Sequence, residues 1–499
     1  VESFRVAFIN VGQGDCTLVR SDGWTALVDG GTATRVEPYR DFFRGIERID
    51  LMVGTHFDAD HLGGLAHLLE GDHLPGGVGH TLLPPHVHPL GDTVPIPVGP
   101  FTGFGAASPF LADHFAAGQR IADVYRGVEA RARAAVTGLD AQVADLTGGK
   151  VRRVTEVNRD CLTDERSDQS LDDGAGRLRD AVRLAYENGL TSIGALLDFA
   201  AAMESKPIPQ QLGVRTGDPW TGSRLRSVAA GASFLTREVI SASSLARLVV
   251  ALKAKGLAWS VDAAPDRATS LVGTTPSTKG PELWHLAPTR RYVARYPREL
   301  EATWDKALRL LVVDNERPTL SNRLSHVIYL RHERFPSHGL LLTGDAGFDT
   351  EKRPPADSMA DGWDKAIRQV SLIDLPHHGG NWGPFGSRIL RALDATKGPL
   401  TLHAGVRAND SQPPSAQMRN LVLAFSDGNR RRPLEILLAN RSKPEVLGSL
   451  ADVLPAGPDG PAIVELTQAG DGWDVASLDA RGQPSTKEPI LGIVPIAGP

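Results

Sequence analysis

A chain of 499 residues, 41% hydrophobic and 23% charged, has apolar content for two or three domains, or for one large domain carrying an insertion. It has no apolar run long enough to cross a bilayer, and a formal net charge of -5 argues against the strongly basic face of a dedicated nucleic-acid grip. Cys16 and Cys161 alone cannot build a disulfide framework or a cysteine-based zinc site, so a metal would be held by His, Asp and Glu. Val1 leads into strand-like sequence rather than into the apolar core of a signal peptide. The absent initiator methionine leaves a removed leader open, and the cytoplasm is the expected compartment.

Residues 4–11 are rich in β-formers, and Thr17-Leu18-Val19, the turn Ser21-Asp22-Gly23 and Trp24 to Val28 predict a hairpin that ends at Asp29-Gly30-Gly31. A helical stretch near Tyr39 to Arg48 leads to a short apolar strand, Ile49 to Gly54, which delivers the chain into His56. Over residues 101–255 the composition shifts to Ala, Arg, Asp and Leu at helical spacing, as in Leu245, Leu248, Val249 and Leu252, with a loop across Gly213 to Gly231. This helical insertion separates a first half, 1–100, from a second, 256–415. Strands return at His326 to Leu330, at Gly339 to Thr343 running into Gly344-Asp345, and at Val370 to Leu375 running into Pro376-His377-His378-Gly379-Gly380. Residues 416–499 are expected to add a short helix and strands near Ala462 to Thr467 and Trp473 to Leu478, completing or flanking the same body. From Gly482 onward, Pro and Gly predict a tail running loosely over the surface.

The segment Thr55-His56-Phe57-Asp58-Ala59-Asp60-His61-Leu62-Gly63-Gly64 places four potential ligands within six residues, directly after a strand. Imidazoles and carboxylates this dense repel and desolvate one another unless a cation organises them. One such run is also compatible with a solvated turn. Its recurrence at two later strand ends, Asp345 and His377-His378, points to a metal site, and the neighbouring glycines at 63, 64, 344, 379 and 380 permit close backbone approach.

Taken in order, Phe8-Ile9-Asn10-Val11-Gly12-Gln13-Gly14-Asp15, Leu27-Val28-Asp29-Gly30-Gly31, the His-Phe-Asp-Ala-Asp-His run, Thr343-Gly344-Asp345 and Pro376-His377-His378-Gly379 resemble the metallo-β-lactamase superfamily. Within it they are most similar to the soluble domain of ComEC-type competence proteins, a branch linked to DNA uptake. The likeness covers roughly residues 4–95 and 255–410; it includes neither the helical block nor any membrane channel. It implies an α/β fold, an αββα sandwich of two facing sheets with helices outside and a metal site at one edge. It also implies two divalent ions, manganese or zinc. Asp60, His61, Asp345 and one histidine of the pair would hold one ion, and Asp345 would bridge to a second held by His56 and Asp58. His378 is favoured as the ligand, and His377 as donor to an oxyanion or to the leaving group, so that Asp60 and His377 carry the catalytic roles. Asp29 and Asp15 either support the site from behind or cap turns.

Asp58 stands where the superfamily at large has histidine, which enriches the site in oxygen and moves preference toward manganese. His80, His86, His88, His285, His332 and His338 read as surface or packing residues, and Gln412 stands in Asn409 to Pro413 where the family has histidine. The activity implied is that of a metal-dependent hydrolase, a phosphodiesterase or nuclease-like enzyme using a metal-bound hydroxide on a nucleic acid or nucleotide. Alternatives are a carboxyl-ester or amide hydrolase of the same fold and a catalytically degenerate binding protein. The helical block is read as a lid, a dimer surface or a docking surface for a protein partner, since soluble proteins resembling this branch work beside partner enzymes, including in bacterial defence systems. Thr289 to Arg298 interleaves arginine with tyrosine, a phosphate-holding and base-stacking combination or a solvated segment, and Asn429 to Arg432 is a basic run in a loop. Cys16 reads as a small buried residue and Trp284-His285 as a packing pair.

Overall fold

A computed structural model describes residues 4–84 except 13 and 57, 244–268 except 246, 249, 250 and 253, 281–293, 324–332, 338–346, 358–379, 389, 392–393, 400–404, 434–438, 461–487 except 470 and 471, and 490–494. Residues 85–243, Cys161 among them, and the segments Asn409 to Pro413 and Asn429 to Arg432 lie outside the described residues, and with them most of the segment expected to be a helical insertion.

The first sheet is built from β1 (Phe4–Ile9), β2 (Thr17–Ser21), β3 (Trp24–Val28), β4 (Ile49–Val53), β5 (Val78–Leu83), β6 (Trp259–Val261), β13 (Ile463–Ala469) and β14 (Gly472–Leu478). Its order is β14-β13-β1-β2-β3-β4-β5-β6. The second holds β7 (Glu282–Ala287), β8 (Val327–Arg331), β9 (Gly339–Leu342), β10 (Val370–Asp374), β11 (Leu400–Ala404), β12 (Leu434–Leu438) and β15 (Ile490–Val494), in the order β15-β12-β11-β10-β9-β8-β7. In the β2–β3 hairpin, Asp22 and Gly23 both have positive φ, +48° and +79°, as the two-residue turn matched to strand twist requires.

Alternation along the strands builds the layers. From β1, Phe4, Val6 and Phe8 face a core shared with Leu283, Ile328, Leu330, Leu340, Leu342 and Leu372 of the second sheet, while Ala7 and Ile9 face the outer layer of the first. Each such fully buried side chain contributes roughly 1.5–3 kcal/mol, and the shared core is what holds the sheets face to face. Outside the first sheet lie α1 (Ala33–Val36), α2 (Arg40–Arg44) and α3 (Ala59–Glu70). In α3, Leu62, Leu65, Ala66 and Leu69 recur at i, i+3, i+4 and i+7 and are buried against the sheet. Described residues from 244 to 252 join this layer. Leu245, Leu248 and Leu252 are buried in the same cluster, and the guanidinium of Arg247 grips Glu70 at the end of α3 with two hydrogen bonds of 3.1 and 2.7 Å. Outside the second sheet, a further apolar cluster includes Trp363 and Ile367. The result is the expected α/β sandwich.

Two expectations are corrected. The helix placed near Tyr39 to Arg48 begins earlier and stops sooner, as α1, a 3-10 turn over Glu37–Tyr39, and α2, which ends at Arg44 before Gly45. Pro38 lacks the N–H that a continuous α-helix would use. Among the described residues, the chain beyond Gly482 is no loose tail. Its apolar run Ile490–Val494 forms β15, antiparallel to β12, and the prolines at 489 and 495 flank the strand without interrupting its N–H groups. No helix among the described residues is long and apolar enough to cross a membrane.

Candidate metal centre

In both sheets, the parallel strands run in one direction and end at one edge. β3 and β4 deliver Asp29 and Thr55-His56 from the first sheet; β9 and β10 deliver Asp345 and His377 from the second. A backbone hydrogen bond from His326 N–H to the Thr55 carbonyl, 2.8 Å, joins the two sheets there. Ligands in open parallel sheets gather at such carboxyl ends.

Asp29 organises the centre from behind. It is fully buried and sits in the left-handed region at φ +56°. Oδ1 accepts the Thr55 N–H at 2.8 Å, and Oδ2 accepts the Thr55 hydroxyl at 2.6 Å and the His61 Nδ1–H at 2.8 Å. With its proton given to Asp29, Thr55 Oγ1 accepts from His56 Nδ1–H at 3.1 Å. The Nδ1 sides of both imidazoles are thus committed, and their Nε2 atoms turn to the opposite side. This backing of a ligating histidine by a carboxylate fixes tautomer and ring orientation.

On that opposite side, His61 Nε2 stands 3.3 Å from Asp345 Oδ1, and His56 Nε2 stands 3.7 Å from Asp345 Oδ2 and 3.7 Å from Asp58 Oδ2. His56, His61 and Asp345 are buried and offer ligand atoms that all lie within 4.8 Å of one another. His56 Nε2 is shielded from solvent with no hydrogen-bond partner among the described residues, an arrangement that is costly unless a cation takes the lone pair. Donors bound tetrahedrally at about 2.0–2.1 Å lie roughly 3.3 Å apart, so these separations fit a shared divalent ion to within a few tenths of an ångström. Burial opposes a charge on His61, but the carboxylates of Asp345 and Asp29 outweigh it and hold the imidazole well above its usual pKa. A metal ion entering here displaces a proton.

The remaining expected ligands are distributed unevenly. Asp58 caps α3 and faces His56. Asp60 is half-buried in the first turn of α3, against Gly14, and belongs to none of the clustered ligand groups found among the described residues. His377 has φ +53°, donates its N–H to the Gly344 carbonyl at 3.0 Å and brings Nε2 within 3.8 Å of Asp345 Oδ2. The side chain of His378 lies outside the described residues. Asp15, buried, forms a second group with Asp29 and His61.

Thr55 and the supporting groups of the second sheet, Thr343, Asp374 and His403, escaped the sequence reading as site residues. The Thr343 hydroxyl donates to the Asp374 carbonyl at 2.6 Å, tying the turn that presents Asp345 to the strand that presents His377. The Asp374 carboxylate accepts His403 Nδ1–H at 2.7 Å, and the His403 ring stacks on Phe8 at 3.6 Å. Their signal was the position of Thr343 and Asp374 just ahead of the ligand turns. Of the histidines read as surface or packing residues, His80 pairs with Ser260, His285 with His326, His332 with Asp22 and His338 with Gln468, while His86 and His88 lie outside the described residues. Cys16 is buried, and burial pushes its thiol pKa up. Tyr292 is buried and Arg291 pairs with Asp266 and Asp361, so this part of the arginine–tyrosine segment belongs to the fold.

A family model described as the metallo-beta-lactamase superfamily matches residues 9–130. The match contains Asp15, Asp29, His56 and His61, and ends well before Asp345. Comparison with curated proteins finds no match.

Proposed function

We propose, from a metallo-beta-lactamase superfamily domain at residues 9–130 and a cluster of His56, His61 and Asp345 at the edge of the sandwich, that the protein is a metal-dependent hydrolase acting on phosphodiesters. The observation that carries this reading is the shared commitment of His56 and His61 Nδ1 to the Asp29–Thr55 pair, which leaves both Nε2 atoms facing Asp345. His56, His61 and Asp345 would hold a divalent ion, with Asp58, Asp60 and His378 completing one or two sites. Such ions supply Lewis acidity and a water activated near neutral pH. Asp29 keeps the two imidazoles oriented, and Asp345 balances positive charge between them. His377, one-third exposed beside Asp345, is placed to give a hydrogen bond or proton to a departing oxygen. The oxygen-rich ligand set and the ordered motifs of the competence branch support a phosphodiester, in a nucleotide or nucleic acid, over a carboxyl ester. Residues 101–255 are the segment we assign to a partner protein, on their length and helical pattern.

The test is cleavage of bis(p-nitrophenyl) phosphate by protein purified without chelator and supplied with manganese or zinc. Metal-dependent cleavage that falls about 100-fold or more in Asp345→Asn is the expected result. Cleavage unaffected by that change, or absent with every divalent ion, overturns the proposal; cleavage of p-nitrophenyl acetate alone replaces it with the ester reading.

A further inference from the structure

A second group of metal-type ligands lies at the other end of α3, away from His61. It joins Glu37 from the 3-10 turn, His67 from the last turn of α3 and His73 from the loop just beyond. His67 Nε2 is 2.6 Å from Glu37 Oε2, His73 Nε2 is 3.7 Å from the same oxygen, and the two rings are 5.6 Å apart. We propose that Glu37, His67 and His73 form a separate site for a borderline transition-metal ion such as zinc, which pins the end of α3 to the loop before α2.

The fold builds this geometry from the backbone. Gly71 ends the helix, Asp72 takes the left-handed conformation at φ +52°, and His73 N–H reaches back to the Leu68 carbonyl at 2.9 Å while Asp72 N–H reaches Leu69 at 3.3 Å. That pair of bonds is the helix-terminating pattern that folds the next residue over the last turn. Gly71 makes room for the ring, because a Cβ there would fall 2.4 Å from His73 Nε2. The His73 side chain is 9% exposed and turns Nε2 toward the Glu37 carboxylate. Ordinary salt-bridge packing explains the contact between Glu37 and His67, but it does not explain a second, buried imidazole aimed at the same oxygen.

Two imidazoles and one carboxylate suit zinc, with ligand atoms roughly 3.3 Å apart in a tetrahedral site. To reach that spacing the contact of 2.6 Å opens by about 0.7 Å and that of 3.7 Å closes by about 0.4 Å. Arg40 binds the other oxygen of Glu37, Oε1, at 2.8 Å, and so orients the carboxylate as outer partners of metal ligands do. The charges of Arg40 and Arg44 oppose a cation, and the carbonyl end of α3 offsets them in part. Burial and then Arg44 hold His73 below its usual pKa, so its lone pair is available at neutral pH.

The experiment uses the full chain carrying Asp345→Asn, His56→Ala and His61→Ala, which breaks both ligand groups at the edge and removes them from the count. Equilibrium dialysis against zinc should leave one ion per chain and raise the melting temperature. His67→Gln, at a half-exposed position, should abolish both effects. Gly71→Ala, which keeps all three ligands and displaces His73, should weaken zinc binding at least tenfold, with helical circular dichroism unchanged in the absence of metal. If the background chain takes up no zinc, or if uptake is the same in His67→Gln and Gly71→Ala, the site does not exist.

Discussion

Asp29 holds a backbone conformation that few side chains adopt, and asparagine is among the few that share it. Asp29→Asn therefore separates chemistry from folding. The amide oxygen still accepts the Thr55 N–H, but the NH2 group meets the His61 Nδ1–H donor head-on where a carboxylate oxygen stood. Metal affinity at the edge centre should fall about 10–100-fold, measured by competition with a chelating dye, with the far-ultraviolet circular dichroism unchanged. Unaltered affinity would show that Asp29 merely closes the turn. Both roles were visible in the sequence as alternatives, since an aspartate at a strand end before two glycines fits either; only the hydrogen bonds to His61 and Thr55 decide between them.

At the scale of single elements, α3 was the hardest to read. Gly63 and Gly64 lower helix propensity just where the motif ends, and the sequence reading assigned no helix there. The glycines serve tertiary contact instead: a Cβ on Gly64 would fall 1.8 Å from the Gly30 carbonyl oxygen, so α3 lies backbone to backbone against the end of β3. For Gly64→Ala, overpacking should outweigh the roughly 1 kcal/mol that alanine gains over glycine in a helix, with a net loss of about 1–3 kcal/mol in chemical denaturation. Gly472→Ala, with open space around the new methyl, should leave the midpoint unchanged, and equal effects would refute the close-approach argument. Strands that ended in ligands were legible because an apolar run gave way abruptly to His, Asp or Gly. Missing from that reading were β5, β6, β7, β11, β12 and β15. Several are short, and β6 pairs with β5 across more than 170 residues of intervening sequence, so their identity lies in long-range partners.

Over the whole molecule, the candidate centre lies where the two sheets meet, and the matched family segment contains His56 and His61 but not Asp345 or His377. The seam also contains a buried pair: His326 donates Nε2–H to the Leu83 carbonyl at 3.0 Å and accepts His285 Nε2–H on Nδ1 at 2.8 Å. Burial pushes the His326 pKa down to about 4, and burial with the neighbouring His326 pushes that of His285 well down. A depressed histidine contributes stability that is fully present above its unfolded pKa of about 6.5 and is lost as pH falls through the folded value. Between pH 7 and 4, the metal-free protein should lose about 3 kcal/mol through His326, read as a falling urea midpoint. His326→Gln should be less stable at pH 7 yet flatter across that range, and an equally steep profile would place the proton uptake elsewhere. The order of strands has another consequence, in time. β1 completes its pairing with β13, Ile9 opposite Ile463, so a strand waits for a partner made about 450 residues later. At a synthesis rate of roughly 5–20 residues per second, that wait is roughly 20–90 s. Throughout it, one edge of the nascent sheet offers unpaired N–H and C=O groups to any neighbouring chain, a hazard of biogenesis that vanishes once β13 is in place.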